Sequence, residues 1–342
     1  MTRKSSNPLR RGVLAGGNWI IDHVKVIDAW PAQDALATIT DQSDGNGGGP
    51  YNLLIDLAQM NCGFPLAGVG LLGRDADGER ILRDCALHGI DRSSFHETSE
   101  APTSYTDVMT VSDTGRRTFF HRHGANARLG REHFDLAASS ARIFYLGYMC
   151  LLKRLDAVGP DGQTEAAQLF AEARQLGFST MADLVSSQST NFSRVVNPSL
   201  PELDYLLLNE YELGRLAGRD TPATDEATLT TEAQEVLARG VRQAVIVHLP
   251  AFVLWVGRTG AVVRQPAVIM PQELIRGTVG AGDAFAAGVV FGIHEGWAPQ
   301  ECLELGVCVA ATSLRHPTSS GAVESWEVCL AFGRKLGFNG RA

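Results

Sequence analysis

Short apolar runs alternate along the chain with segments whose apolar residues recur at helical spacing. Just after Trp19, Ile20 and Ile21, the residues Val24, Val26 and Ile27 interleave with His23, Lys25 and Asp28, as in half-exposed strands. Residues 64–72, 141–146, 179–184, 205–208 and 244–248 read as buried strands. Residues 52–60, 78–88, 165–176 and 231–239 read as helices, the second ended by Gly89. Such alternation implies βαβ units and a mostly parallel sheet. Residues 103–111 and 118–120 are different, being rich in β-formers and joined by Ser112-Asp113-Thr114-Gly115, a hairpin signal. With residues 19–29 they make a small second sheet. The polar, glycine-dense residues 41–49 read as a loop feeding the helix at 52–60.

The expected fold class is therefore α/β: a doubly wound, mostly parallel central sheet with a small β-sheet lid. One domain should span residues 12–335, with lid strands within 17–30 and 102–122 and a disordered tail at 1–11. Composition agrees with a globular chain, since 44% of the 342 residues are hydrophobic and 20% charged, with no uninterrupted apolar run long enough for a membrane span. A net charge of −8 disfavours nucleic acid and anionic lipid as partners, which leaves small-molecule chemistry. The six cysteines are scattered with no CxxC pair, and Met1 to Arg11 is basic without the apolar core of a signal peptide. Reduced, mostly buried thiols in a cytoplasmic protein are expected.

The stretch that carries chemistry is Arg276-Gly277-Thr278-Val279-Gly280-Ala281-Gly282-Asp283-Ala284-Phe285, leading into a helix of small and apolar residues at 286–293. Glycines 280 and 282 let successive backbone N–H groups converge, and the helix dipole adds positive charge, so Gly280, Ala281 and Gly282 suit a phosphate in transfer. Asp283 stands where a carboxylate can take the proton of an attacking hydroxyl. A plain capped glycine turn is the competing reading of these residues alone.

This turn resembles the C-terminal signature of the ribokinase-like, or PfkB, carbohydrate kinase family, Asp-Thr-x-Gly-Ala-Gly-Asp, at six of its seven positions. The glycine pair Gly48-Gly49 followed by Asn52, and the series Gly63, Gly70, Gly73, Asp75 and Gly78, continue in family-like order. Asn209-Glu210-Tyr211-Glu212, after the strand at 205–208, looks like the family's Asn-x-x-Glu motif, although alone it is a helix cap. The resemblance covers residues 12–332.

The resemblance implies ATP-dependent phosphorylation of a primary hydroxyl of a small sugar or sugar-like substrate, by in-line transfer with Asp283 as base. Asp22, Gly48, Gly49 and Asn52 would line the acceptor pocket, and Arg122 and Asn126 are candidates from the passage joining lid to body. Asn209 and Glu212 would place Mg²⁺ through water, with His248 and Thr278 beside the nucleotide. A homodimer through the lid is the partner arrangement left open.

Three departures matter, one being Leu54 two residues beyond Asn52, where the family usually has a small residue, so that the volume of the acceptor pocket differs. Gly277 replaces the family's opening Asp, which puts the monovalent cation site in doubt. His248-Leu249-Pro250-Ala251-Phe252-Val253 stands where the family usually has Thr-x-Gly-x-x-Gly, and a proline there removes an N–H. Two other functions stay open: a nucleoside kinase, and a sugar-binding protein whose nucleotide site is degraded.

Overall fold

The structure, a computed structural model, describes residues 10–186 and 191–340. Among these the chain runs β1 (Val13–Gly17), β2 (Ile20–Ile27), β3 (Ile39–Gly47), α1 (Gly49–Gln59), β4 (Leu66–Gly73), α2 (Ala76–Leu87), β5 (Asp91–Thr98), β6 (Ser104–Val111) and β7 (Arg117–Arg122). It continues through β8 (Ile143–Met149), α3 (Glu165–Gln175), β9 (Ser179–Leu184), α4 (Phe192–Val196), β10 (Tyr205–Asn209), α5 (Glu210–Leu216) and α6 (Glu226–Ala238). The last elements are β11 (Ala244–His248), β12 (Phe252–Gly257), β13 (Val262–Pro266), α7 (Ala281–Glu295), α8 (Pro299–Ser313) and α9 (Trp326–Leu336).

The large sheet has the order β13-β12-β11-β10-β9-β8-β1-β4-β5, parallel from β11 to β5 and antiparallel at the β12 and β13 edge. Alternate residues of its strands enter two apolar layers. Val13, Ala15, Ile143, Tyr145, Leu207 and Ile246 pack under α1, α7 and α8. Leu14, Phe144, Leu146, Leu206, Leu208 and Val247 pack against α3, α5 and α6. Covering both faces explains why these strands read as unbroken apolar runs. Each fully buried Leu or Phe contributes about 1.5–3 kcal/mol of transfer free energy.

The chain leaves β1 towards β4 on one side and returns to β8 on the other, so the strand order reverses between β1 and β8. In doubly wound sheets the ligand crevice lies beyond the carboxyl ends of the strands at such a reversal. The lid rises there. Its order is β3-β2-β6-β7, with β2 antiparallel to β3 and parallel to β6, and β6 antiparallel to β7. Trp19 roots it, fully buried, with Nε1 donating to the Val69 carbonyl at 2.9 Å and the ring edge-on to Phe95 at 4.6 Å.

Residues 41–49, expected as loop, are mostly strand β3. Their polarity and glycines suit an edge strand exposed along most of its length, paired to β2 from Ile20↔Gly47 outward. Strand β5, another polar edge, carries no apolar alternation and was not anticipated. Helices α1, α6 and α7 each begin several residues earlier than their apolar spacing suggests. Most of the expected tail lies outside the described residues, but Arg10 is held: its guanidinium sits 4.0 Å over the Phe178 ring and donates to the carbonyls of Ser139 and Ala141. All six cysteines are free, five of them buried and Cys150 half-buried. No helix among the described residues is long and apolar enough to cross a membrane.

Candidate active site

Gly280 is the N-cap of α7 at φ +74°, a left-handed conformation that glycine adopts without strain, and a β-carbon there would lie 2.7 Å from Ser319 Cα. The first intrahelical bond beyond it runs from Ala284 N–H to the Gly280 carbonyl, leaving the N–H groups of Ala281, Gly282 and Asp283 without intrahelical acceptors at the positive end of a 15-residue helix. His248 packs against this turn, its Cε1 3.2 Å from the position of a Gly282 β-carbon, and burial holds its imidazole down at about 4. Thr278 Oγ1 accepts from Arg117 Nη2 of β7 at 2.8 Å, a direct tie between lid and turn.

Asp283 is 6% exposed and surrounded by neutral donors. Tyr148 O–H reaches both carboxylate oxygens, at 2.7 and 2.8 Å, and Asn52 Nδ2 donates to Oδ2 at 2.8 Å. Ser319 O–H donates in turn to Asn52 Oδ1 at 2.8 Å, which orients the amide with its NH₂ towards the carboxylate. Burial pushes the Asp283 carboxyl up to about 6, against the pull of the Tyr148 and Asn52 hydrogen bonds. A carboxylate so poised changes protonation near neutrality, as proton transfer at neutral pH requires.

Asn52 is placed by the start of α1. Gly48, its N-cap, sits at φ +97° with its α-carbon against the Asn18 carbonyl, so a side chain there would collide with backbone. Gly49 leaves room for the Tyr148 ring, 3.0 Å from where its β-carbon would be. Across the cleft, burial first and the Asp283 charge second push the Asp22 carboxyl of β2 up to about 7.

The structure thus brings together Asp283, Gly280, Ala281, Gly282, Asp22, Gly48, Gly49 and Asn52. It separates Arg122 and Asn126 from them. In the lid register Arg122 pairs with Tyr105, while Asp22 pairs with Thr106, so Arg122 projects from the opposite face of the sheet and lies 5.8 Å over the Tyr105 ring. Asn126 is fully buried, its Nδ2 donating to Asn18 Oδ1 at 2.6 Å and to the Trp19 carbonyl at 2.9 Å, which makes it a brace beneath the lid.

Tyr148, Ser319 and Arg117 were missed. Nothing in Gly147-Tyr148-Met149 or in the loop around Ser319 departs from ordinary composition, and Arg117 becomes recognisable only when its strand face is known.

Asn209 and Glu212 form a reciprocal cap on α5: Asn209 Oδ1 accepts from Glu212 N–H and Glu212 Oε2 from Asn209 N–H, both at 2.9 Å. Ser186 O–H occupies Oε1 at 2.9 Å, and Glu212 is 2% exposed. Burial pushes its carboxyl up to about 7. With both oxygens engaged, direct coordination of a metal does not fit, whereas the spare lone pairs suit an outer-shell role through water. At Gly277 a β-carbon would lie 2.8 Å from Pro317 Cα and 2.9 Å from the His316 carbonyl. Residues 316–317 therefore fill the place of the family carboxylate, and a monovalent cation held by such a group does not fit this turn.

A helix start with three N–H groups lacking intrahelical acceptors and a buried carboxylate, at the strand-order reversal beneath a β lid, is the arrangement of a small-molecule kinase of the ribokinase-like fold. A sequence profile of the pfkB family carbohydrate kinases matches residues 17–326, and the chain belongs to that family. It is 23% identical over 274 residues to adenosine kinase 1 of Arabidopsis thaliana, covering 77% of this chain and 76% of that one. Ribokinase of Thermotoga maritima superposes with a TM-score of 0.77 at 20% identity, covering 94% of this chain and 99% of that one. Ribokinase of Arabidopsis thaliana, solved with ribose and ATP, gives 0.75 at 21% identity, covering 94% and 98%. Kinases of this family phosphorylate sugars or nucleosides.

Proposed function

We propose that this chain transfers the γ-phosphoryl group of ATP to a primary hydroxyl of a sugar or sugar-like acceptor, with Asp283 as general base. The observation that carries the reading is the buried Asp283 carboxylate, pushed to about 6, at the N-terminus of α7 beside three N–H groups with no intrahelical acceptor. The acceptor hydroxyl takes a remaining lone pair of the Asp283 carboxylate, which Tyr148 and Asn52 keep oriented, and gives its proton to it as its oxygen attacks the γ-phosphorus. The bond from that phosphorus to the bridging oxygen breaks and ADP leaves. The N–H groups of Ala281, Gly282 and Asp283 stabilise charge on the transferred group, and Arg117, held at Thr278 by the lid, adds a cation beside it. Mg²⁺ supplies charge neutralisation on the phosphates when bound, and Asn209 and Glu212 suit its outer shell.

Two observations favour other readings of the same site. Phe119 projects from the lid face that carries Asp22 and is 59% exposed, an apolar platform suited to a nucleoside base. Leu249-Pro250-Ala251 forms a tight turn between β11 and β12, Leu249 N–H bonding to the Phe252 carbonyl, which alters the nucleotide side and favours a sugar-binding protein with weak transfer.

ADP release measured with Mg-ATP and a panel of ribose, fructose, a 2-keto-3-deoxy sugar acid and adenosine decides among the three. The proposal expects a free sugar or sugar acid to give the highest kcat/KM. Preference for adenosine installs the nucleoside reading. No release above the acceptor-free rate, with sugar binding intact by calorimetry, installs the binding protein.

A further inference from the structure

We propose that His121 is a specificity-determining residue, its Nε2 hydrogen-bonding a second hydroxyl of the acceptor, other than the one that Asp22 takes. The inference rests on the acceptor site being where Asp22 and Asp283 face each other.

The lid register places Asp22 of β2, Thr106 of β6 and His121 of β7 in one row across three strands. Residues directly paired across strands project from the same face. That face is turned to the body, because the Asp22 carboxyl feels the charge of Asp283, and because Arg117, four residues before His121 on the same face of β7, reaches Thr278. His121 therefore lies on the cleft face with Asp22, in the same cross-strand row and separated from it by Thr106.

One ring nitrogen is already committed, Nδ1 lying 2.9 Å from Thr106 Oγ1. Nε2 is enclosed and has no partner among the described residues. The ring of His123 stands edge-on at 5.0 Å and confines the imidazole. Burial, then His123, hold the ring down at about 4, so it is neutral at physiological pH. An enclosed imidazole nitrogen left unpaired is costly, which marks this one as awaiting a ligand atom.

The chemistry of that ligand follows from the tautomers. The Thr106 hydroxyl both donates and accepts, so Nδ1 is free to take either role, and Nε2 takes the complementary one. A carbonyl would satisfy only the Nε2–H tautomer and an ammonium only the other. A hydroxyl satisfies both, which points to a polyol whose hydroxyls are divided between Asp22 and His121.

Steady-state ADP release is measured for wild type, His121→Phe and His121→Gln with the best acceptor of the panel and each of its monodeoxy analogues. His121→Phe is expected to raise the acceptor KM about tenfold with the ATP KM within about twofold, and His121→Gln to recover most of that loss. In wild type one deoxy analogue suffers a penalty of similar size, and in His121→Phe that penalty disappears while those at other positions remain. An unchanged acceptor KM in His121→Phe overturns the proposal. So does a rise shared equally by ATP, or retention of every deoxy penalty. Failure of the site itself looks different: wild type then shows no acceptor-dependent ADP release, and both readings fall.

Discussion

In the body, the Asp283 carboxylate receives hydrogen bonds from Tyr148 and Asn52, and Asn52 is itself held by Ser319. In the lid, no hydrogen bond reaches the Asp22 carboxylate among the described residues, and the enclosed Nε2 of His121, in the same cross-strand row, is unpaired. One carboxylate is fixed before any ligand arrives, and the other is left to be satisfied by one. The difference separates two tasks. Groups that act on the bond being made gain from fixed geometry, because no reorganisation is then needed during reaction. Groups that choose the acceptor gain from unmet hydrogen-bonding capacity, which only the right hydroxyl pattern relieves.

The largest expected effect breaks the body side. Asp283→Asn keeps the shape and an acceptor for Tyr148 but cannot take a proton, so kcat should fall about a hundredfold or more with acceptor affinity largely kept. Turnover within a few-fold of wild type would remove Asp283 from the chemistry. The pH profile sharpens the same point. Asp283 must be ionised to accept a proton, and burial raises its carboxyl to about 6, with Asp22 at about 7 coupled to it. Activity should therefore be lost as pH falls through about 7 to 6, with apparent values that belong to the coupled carboxyls, Asp56 and Asp183 included, since the Asp283 charge raises them as well. Tyr148→Phe removes a hydrogen bond that favours the carboxylate, so it should move this limb to higher pH.

A smaller effect belongs to the lid. Asp22→Ala removes a carboxylate that receives nothing from the protein, so the fold should lose little, while the acceptor binds about tenfold more weakly and ATP is unaffected. Calorimetry with each ligand separately reads both numbers. Equal weakening of ATP, or unchanged acceptor affinity, would mean that Asp22 does not face the acceptor and that the contrast with Asp283 is false.

The same contrast governs what the sequence makes legible. Strands β9, β10 and β11 stand out because burial on both faces demands apolar residues, and the turn at Gly280–Asp283 because its glycines stand at the start of a helix. The lid has no such demand. Strand β3 looks like a loop because its stability comes from pairing with β2 rather than from its own composition. Arg122 was not separable from its strand neighbours for a related reason: adjacent residues of a strand point to opposite faces, and the register that puts Arg122 on the face away from Asp22 is a tertiary property. Tyr148 and Ser319 act through positions that only the folded chain brings to Asp283, which is 135 residues from one of them.

The smallest effect tests whether the body's fixed geometry is complete without help from an ion. In the family, the carboxylate missing at Gly277 helps hold a monovalent cation behind the anion turn, where the ion offsets phosphate charge and orders the backbone. Here residues 316–317 pack into that place, and Ser319 from the same loop braces both Gly280 and Asn52. Protein atoms thus supply the order that the ion would supply, and Arg117 brings a fixed positive charge to Thr278. Replacing potassium by a bulky organic cation at constant ionic strength, with Mg²⁺ present, should therefore change kcat less than about threefold, under roughly 1 kcal/mol. A tenfold response to potassium would show that backbone carbonyls alone assemble a cation site, and that the turn is less complete than its packing implies. Arg276, exposed beside the turn, offers the control. Arg276→Gln should leave turnover unchanged with or without potassium, because the charge that matters comes from Arg117 on the lid; a drop confined to Arg276→Gln would transfer that role to Arg276 and leave the Arg117–Thr278 contact as a structural tie.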